Sequence, residues 1–340
     1  MDPQPTIRQL AAWAGLSPAT ISLALRNHPS IPAVTRERIH LLAQEKGYRI
    51  DPLVATLMAQ LRSTRVKRAT EKIAMLTFWS GPDDWRENIN NRAYFEGAKA
   101  RAYQLGYEIE AFWGKDPSVS QSRLSRILHT RGIRGVIASP LPQARGHVSL
   151  EWEHFASSSI GYTVVQPIPR IAHAHYNGMQ LALRTLKRYG YRRVGYASLQ
   201  AEANRVNRIW LGSYLAHHFD PDHPGEMIPP LLQRAVNKAE FAAWLQRYRP
   251  DAIVSNLPQF RFFLEELGYP VPEKVGYASL DAAANVDVAG IDQLPEQLGV
   301  AAVDMVVRQI QNNEFGLPRH PILHLVDGVW RDGASIRHLT

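Results

Sequence analysis

Residues 6–27, TIRQLAAWAGLSPATISLALRN, decide how the N-terminal part of the chain folds. The pattern predicts two short helices around a tight turn, the first over residues 7–14. Thr6 precedes that helix, and its hydroxyl is suited to accept a hydrogen bond from the unpaired N–H groups of the first turn. Gly15 ends the helix, since Gly readily takes the left-handed conformation that turns the chain. Ser17 then caps the second helix, and Pro18 suits its first position.

The second helix has one apolar face and one outward face. Ile21, Ala24 and Leu25 recur at helical spacing and are expected to pack inward. The outward set comprises Pro18, Ala19, Thr20, Ser22, Leu23 and Arg26. A short helix with a small polar outward face after a tight turn fits a DNA groove, and an ordinary helical hairpin is the alternative.

The segments that follow favour the DNA-binding interpretation. A third helix is predicted over residues 34–46, capped by Thr35 or the residue before it, with Ile39, Leu42 and Ala43 as its buried face. A separate helical stretch over residues 52–61 precedes RSTRVKRATEK, residues 62–72, which has five basic residues and one acidic residue. That composition predicts a linker.

The positive charge is concentrated in the first fifth of the chain. Residues 1–72 hold 11 Lys and Arg against 5 Asp and Glu, whereas residues 73–340 hold 28 against 26. Lys and Arg that neutralise phosphates provide the sequence-independent part of DNA affinity. The distribution therefore favours a nucleic-acid-binding head on a nearly neutral body, with a solvated basic tail as the alternative.

Length and composition limit the protein class. The 340 residues, 45% hydrophobic and 21% charged, predict an ordinary globular protein of two or three domains. No run of eighteen apolar residues and no secretory leader is visible, so we expect a cytoplasmic protein without a membrane partner. The absence of Cys excludes disulfides, Cys-based zinc sites and thiol catalysis.

From Lys72 onward, short apolar runs alternate with amphipathic stretches. Strands are expected at KIAMLTFWS, YEIEAFWG, GVIASP and SSIGYTVV, and later at RRVGYASL, PDAIVSN and KVGYASLD. Helices are expected between them, including residues 93–105, 120–129, 179–189 and 208–218. This alternation predicts parallel sheets with right-handed crossovers.

The head residues resemble the LacI/GalR-type bacterial transcription regulators. The matching pieces are TIRQLAAWAGLSPATISLALRN, VTRERIHLLAQEKGY at 34–48 and DPLVATLMAQL at 51–61, and a weaker similarity runs on to WRDGAS at 330–335. The resemblance implies a small all-α helix-turn-helix head joined by a hinge helix to an α/β core. That core would have two doubly wound parallel-sheet lobes and be periplasmic-binding-protein-like.

The resemblance also implies domain bounds. The DNA-binding head would span 1–50, the hinge helix and linker 51–71, and the ligand-binding and dimerisation core 72–340. Within the core, lobe 1 would take about 72–166 plus 285–312, and lobe 2 about 167–284 plus 313–340.

For DNA contacts, the resemblance points to the outward face of the second helix, its flanks and the hinge. The expected residues are Thr6, Ser17, Pro18, Ala19, Thr20, Ser22, Leu23, Arg26, Tyr48 and Leu57. Leu57 would wedge between base steps in the minor groove. Ile50 stands where the family usually has Pro, and Val54 where it usually has Ala, so a short helix packed on the core is the alternative for this stretch.

Ligands of open α/β sheets bind at the carboxyl ends of the strands, which in two facing lobes means the cleft between them. The expected ligand-binding residues are Trp79, Ser80, Ser139, Arg205, Arg208, Asn256 and Asp281. Planar Arg, Asp and Asn groups with a Trp face suit a polyhydroxyl ligand such as a sugar. Asp281 falls where the family has an acidic motif, whereas Ala174 and Leu257 stand near positions that are often acidic in the family.

Catalytic motifs are missing from the sequence. The thirteen His come without HExxH, a Gly-rich phosphate loop or a nucleophile elbow. Residues 217–223, with Asp220 and Asp222, form either a metal site or, as we favour, a polar loop. We therefore expect no enzyme activity, no metal and no cofactor.

These observations predict a sequence-specific DNA-binding transcription regulator, acting as a repressor. It would be a homodimer on a near-palindromic double-stranded operator, with its affinity modulated by a small-molecule effector, a sugar. The alternatives are a solute-binding protein without DNA function and an enzyme that uses the cleft.

Overall fold

The structure is a computed structural model that describes residues 5–48, 71–219, 227–282 and 287–339. The expected hinge helix, with Ile50, Val54 and Leu57, lies outside the described residues. So do Arg49, most of the basic linker and the 220–223 part of the histidine-rich loop. One further finding concerns membranes: within the described ranges, no helix is both long enough and apolar enough to cross one.

The head consists of three helices, as the sequence predicts. They are α1 (Ile7–Ala14), α2 (Pro18–Leu25) and α3 (Ala33–Glu45). The Thr6 hydroxyl accepts from the Gln9 amide at 3.3 Å, and the Gln9 side chain accepts from the Thr6 amide at 2.8 Å, which makes a reciprocal cap. Gly15 has φ 66°, and the Ser17 hydroxyl accepts from the Thr20 amide at 3.1 Å. The predicted helix-turn-helix is therefore confirmed.

The third helix corrects one detail. Leu10, Ile21, Ala24 and Ile39 are fully buried together, which accounts for the predicted inner faces. However, α3 begins at Ala33, and its N-cap residue Pro32 makes no side-chain cap. The expected cap at Thr35 is wrong because Pro32, with φ −54° and ψ 143°, already starts the helix and leaves Thr35 inside the first turn.

The core contains two six-stranded sheets. The strands are β1 (Glu71–Thr77), β2 (Tyr107–Trp113), β3 (Gly135–Ala138), β4 (Ala156–Ile160), β5 (Arg170–His173), β6 (Val194–Leu199), β7 (Leu231–Gln233), β8 (Ala252–Ser255), β9 (Gly276–Ser279), β10 (Gly290–Asp292), β11 (Leu323–Val326) and β12 (Val329–Arg331). Their orders are β11-β5-β4-β3-β1-β2 and β12-β10-β9-β8-β6-β7. Every pairing is parallel except β10 with β12. Both sheets are doubly wound, and the predicted fold class is confirmed.

Helices cover the faces of both sheets. They are α4 (Ile89–Gln104), α5 (Gln121–Thr130), α6 (His175–Arg188), α7 (Gln200–Arg205), α8 (Ile209–His217), α9 (Lys238–Tyr248), α10 (Gln259–Glu266) and α11 (Pro295–Asn312). Helices α4 and α11 cross at two glycines: a Cβ on Gly97 would meet the Glu296 carbonyl, and a Cβ on Gly299 would meet the Tyr94 carbonyl. This close contact packs α4 against α11 on one face of the first sheet.

The strands divide between the lobes differently from the expected bounds. Strand β5 belongs to the first sheet although 167–284 was assigned to lobe 2, and β10 belongs to the second although 285–312 was assigned to lobe 1. Strand β11 also joins the first sheet. Helix α11 packs on the first sheet, in keeping with its assignment. A buried strand has the same apolar pattern in either sheet, so the sequence cannot assign it.

The chain therefore crosses between lobes at three places. It leaves β5 and enters α6 at Ala174, passes from β10 to α11 near Gln293, and runs from β11 to β12 through Asp327 and Gly328. Strand β4 is also shorter than the predicted segment 158–165, because Gly161, with φ 76°, turns the chain after Ile160.

Candidate functional site

The α2 helix presents the first candidate surface. Its inward residues Ile21 and Ala24 are fully buried, and Leu25 is half-buried against the head core. On the other side, the exposed residues are Ser17, Pro18, Ala19 and Arg26, and the half-buried ones are Thr20, Ser22 and Leu23. The helix thus offers small polar groups and one Leu to a partner, backed by a packed three-helix unit.

Two residues expected to contact DNA, Arg26 and Tyr48, form hydrogen bonds within the protein. The Arg26 guanidinium folds back along α2, where Nε donates to the Ser22 carbonyl at 2.9 Å and Nη2 to the Ser22 hydroxyl at 3.2 Å. The Arg26 carbonyl accepts from Asn313 Nδ2 at 2.7 Å, which joins the head to the end of α11. Tyr48 is half-buried against the head core, and its amide donates to the Ala43 carbonyl at 2.8 Å.

Asp281 lies just beyond β9 in the cleft between the lobes. Its amide donates to the Ser279 hydroxyl at 3.0 Å, and its Oδ2 accepts from Asn90 Nδ2, on α4 of the first lobe, at 2.6 Å. Its Oδ1 is buried and has no hydrogen-bond partner among the residues that the structure describes, and the same holds for Asn90 Oδ1. A half-buried residue that was expected to bind a ligand thus forms a hydrogen bond that bridges the two lobes.

Arg205 makes a second bridge across the cleft. Helix α7 carries it in the second lobe, and its Nη1 donates to the Leu141 carbonyl at 2.7 Å and to the Pro142 carbonyl, both after β3 of the first lobe. Its Nε lies 3.7 Å from Glu202 of the same helix. The guanidinium charge is therefore already engaged by carbonyls and a carboxylate.

The other expected ligand-binding residues make hydrogen bonds that do not involve Asp281 or Arg205, or they are exposed. The Ser139 hydroxyl is buried and donates to the Leu76 carbonyl at 2.7 Å, and Asn256 Oδ1 accepts from the Ser198 hydroxyl at 2.8 Å. Ser80 and Arg208 are exposed, with Arg208 Nε donating to Asn204 Oδ1 at 3.0 Å. Trp79 is half-buried, and its indole N–H has no partner.

An aromatic and imidazole cluster continues the cleft, and sequence reasoning missed it. The Tyr94 hydroxyl lies 3.4 Å from His173 Nε2, and the His173 ring is 5.6 Å from that of His175. His175 packs in turn against Trp210 at 4.6 Å and Tyr162 at 5.9 Å. The two histidines flank Ala174, where the chain first crosses from one lobe to the other. The signals were present: AHAHY, residues 172–176, spans the end of a strand and the start of a helix, and Asn90 and Tyr94 lie one turn apart at the start of another helix.

Burial governs the charge states in this cluster. It lowers the pKa of His173 to about 3, and burial together with the neighbouring His173 lowers the pKa of His175 to about 3. Burial also raises the pKa of Tyr94, with Asp281 adding to the rise and Arg205 opposing it. Burial raises the pKa of the Asp281 carboxyl; the Asn90 hydrogen bond opposes this and Asp292 adds to it. Both imidazoles are therefore neutral at pH 7.

Metal chemistry finds no support in the part of the chain that the structure describes. There, no three His, Asp or Glu side chains are grouped closely enough to hold a metal ion. His217 is buried, and its Nδ1 lies 3.2 Å from Gln180 Oε1. Residues 220–223 fall outside the described ranges, so the polar-loop interpretation of 217–223 stays a prediction.

Comparisons with known proteins place the fold. No family model matches the chain, and no curated protein matches its sequence. Among solved structures, the transcriptional regulator CelR in complex with cellobiose is 16% identical, with a TM-score of 0.60, and the match covers 98% of this chain and all of that one. The Lac repressor dimer bound to operator and the anti-inducer ONPF is 16% identical at a TM-score of 0.57, covering 98% and 99%.

A third similar structure matches a smaller share of the chain. The periplasmic binding protein/LacI transcriptional regulator from Alkaliphilus metalliredigens, complexed with D-xylulofuranose, is 14% identical at a TM-score of 0.58, and the match covers 78% of this chain and 99% of that one. At these identities the likeness shows a shared fold. The matches that span nearly the whole chain include the helical head as well as the two lobes.

Proposed function

We propose that the chain is a LacI/GalR-type transcription regulator that binds a specific DNA sequence, acts as a repressor and responds to a small effector held between its lobes. Residues 1–50 bind DNA, 51–71 form the hinge and linker, and the remainder binds the effector and pairs two copies. The protein regulates transcription and does not catalyse a reaction.

The observation that carries this proposal is the outward face of α2. Ser17, Pro18 and Ala19 stand exposed at the start of a helix whose opposite side is fully buried. In helix-turn-helix proteins the second helix lies in the major groove with its N-terminal residues at the base edges. The surplus of basic residues in 1–72 supports phosphate binding beside that helix.

The cleft supports effector control. Asp281–Asn90 and Arg205–Leu141 link the lobes by hydrogen bonds, so a ligand that replaces these bonds changes the free energy of lobe closure. A ligand shifts a conformational equilibrium only by its differential affinity for the two states. Closure alters the pairing of two copies next to the linker, and the hinge segments transmit it to the heads.

A binding-site selection with random DNA duplexes tests the proposal. The full chain is expected to select a near-palindromic motif, because a two-fold dimer places two equivalent heads on the duplex. A truncation beginning at Lys72 serves as the matched control. It is expected to stay folded and dimeric by sedimentation yet select nothing. Enrichment of the same motif by the truncation, or an unenriched pool with the full chain, contradicts the proposal.

A solute-binding protein without DNA function is the second candidate. The similarity to a periplasmic binding protein/LacI transcriptional regulator supports it. It predicts ligand binding by both the full chain and the truncation, with no DNA selection by either. The same experiment therefore separates the two.

A further inference from the structure

The Asp281 end of the cleft holds two acceptor atoms to which no described residue donates. Asp281 Oδ2 is satisfied by Asn90 Nδ2 at 2.6 Å, but Asp281 Oδ1 and Asn90 Oδ1 are both buried without partners. The two side chains are bonded to each other, so these two acceptors belong to one small region. A buried polar atom without a partner is costly, and at a cleft it marks the place of a missing hydrogen-bond donor.

The carboxylate there also lacks a counter-ion. Over the described ranges, no Lys or Arg side chain pairs with Asp281. Arg205 is close enough to lower the pKa of Tyr94. Its guanidinium, however, is already engaged by the Leu141 and Pro142 carbonyls and by Glu202. Asp292 adds negative charge nearby, and its own cation is Arg331, whose Nη1 lies 3.4 Å from Asp292 Oδ2. A buried carboxylate without a cation is strongly disfavoured, so a positively charged ligand group would be stabilised there.

The neighbouring walls suit a cation as well. Tyr94 and Trp210 place aromatic rings along the cleft, and His173 and His175 between them are neutral at pH 7. Aromatic faces attract cations, and the attraction grows when the site is desolvated. None of these groups competes with a ligand cation by carrying a positive charge of its own.

We infer that the effector is an amine-bearing polyhydroxyl compound, such as an amino sugar or amino alcohol, whose ammonium group binds Asp281 Oδ1 and Asn90 Oδ1. An ammonium supplies three donors and the missing charge. A neutral sugar hydroxyl supplies a donor but leaves the carboxylate charge uncompensated. This inference rests on the proposed function, because it takes the cleft to be the effector site.

Matched ligand pairs test the inference on the full chain at pH 7. D-glucosamine is compared with D-glucose, D-galactosamine with D-galactose, and 2-aminoethanol with ethane-1,2-diol, by isothermal titration calorimetry and thermal shift. N-acetyl-D-glucosamine keeps the skeleton without the charge. We expect at least one amine to bind tenfold or more tightly than its neutral partner. Equal or tighter binding by the neutral member of every pair, or no binding by any amine, overturns the inference.

Asp281→Asn isolates the charge. It keeps the size of the side chain, so we expect the tenfold preference to vanish while the melting temperature at pH 7 holds or rises. Asp304→Asn, at a partly exposed ion pair with Arg101, is the control and should keep the preference. Retained preference in Asp281→Asn overturns the inference. DNA selection is read separately, so loss of the amine preference with intact selection leaves the proposed function standing.

Discussion

At the scale of single residues, two buried histidines limit the pH range of the core. His173 and His175 are less than a tenth exposed, and burial holds their pKa values at about 3. An unfolded chain would titrate them near their usual pKa of about 6.5. Since the unfolded state then binds protons that the native state refuses, the stability present above that pH is lost as the pH falls from about 6.5 toward 3.

His175→Gln is expected to flatten this dependence. Each histidine contributes a slope of about 1.4 kcal/mol per pH unit once the unfolded state is protonated, and the variant loses one such contribution. It should also be less stable at pH 7.5, because the ring no longer packs on Trp210. Urea unfolding of the full chain at pH 7.5, 6.0 and 5.0 measures both effects. Exposed His320→Gln is the control, and an unchanged slope in His175→Gln would refute the explanation.

At the scale of elements, α2 is expected to determine the base preference of the proposed DNA binding. Leu23 occupies an outward position where relatives by resemblance often place Arg, which reads guanine O6 and N7. Leu is instead suited to pack on a thymine methyl, so we predict an operator with T or A at that base pair. Leu23→Arg should shift the preference to G at one symmetric pair of positions.

The hinge segment provides the comparison for that selection. Leu57→Ala should weaken specific binding and straighten the DNA, leaving non-specific binding nearly unchanged, if Leu57 wedges at a central CG or TA step. Binding-site selection and a gel-based bend measurement on the three proteins report both effects. An asymmetric motif, or unchanged affinity and bend in Leu57→Ala, would instead assign residues 52–61 to the core.

The α4–α11 crossing is a second element-scale feature. Gly299 lies so close to α4 that an added Cβ would meet the Tyr94 carbonyl and the Ala98 amide, and neither backbone group can rotate away. Gly299→Ala should therefore destabilise the core by about 1–3 kcal/mol, the usual cost of overpacking. Gly212→Ala is the matched helical control, because nothing lies near its Cβ position. Thermal unfolding of both variants checks this, and equal melting temperatures would count against a rigid crossing.

At the scale of the whole molecule, the charge asymmetry is expected to set the salt dependence of the proposed DNA binding. The basic groups of the head and linker, including Arg8, Arg26, Arg36, Arg49 and the 62–72 cluster, are expected to release counterions, so the log-log slope should be about −0.9 per neutralised phosphate. Arg8 is exposed on α1. Arg8→Ala should reduce the slope by about 1 and weaken binding equally across sequences. Fluorescence anisotropy at several salt concentrations measures this. The control is Lys99→Ala, at an exposed lysine outside the head. A loss of affinity that depends on the DNA sequence would argue that Arg8 contacts a base.

The head could be predicted from its sequence because its structure is decided locally. Caps, turn glycine and helical periodicity act within a few residues, so Thr6, Gly15 and Ser17 specify α1, the turn and α2 without reference to the rest of the chain. Strands β1–β4, β6, β8 and β9 of the core were predicted for the same reason, whereas β5, β7, β10, β11 and β12 were not.

Only the tertiary structure decided which strand joins which sheet and what meets in the cleft. Strands β5, β10 and β11 have the same apolar pattern whichever lobe receives them, so pairing fixes their place. The contact of Asp281 with Asn90 joins residues 191 positions apart, and the packing of Tyr94 on His173 joins residues 79 apart. Short-range patterns contain no information about such contacts, because they depend on how two sheets close on each other.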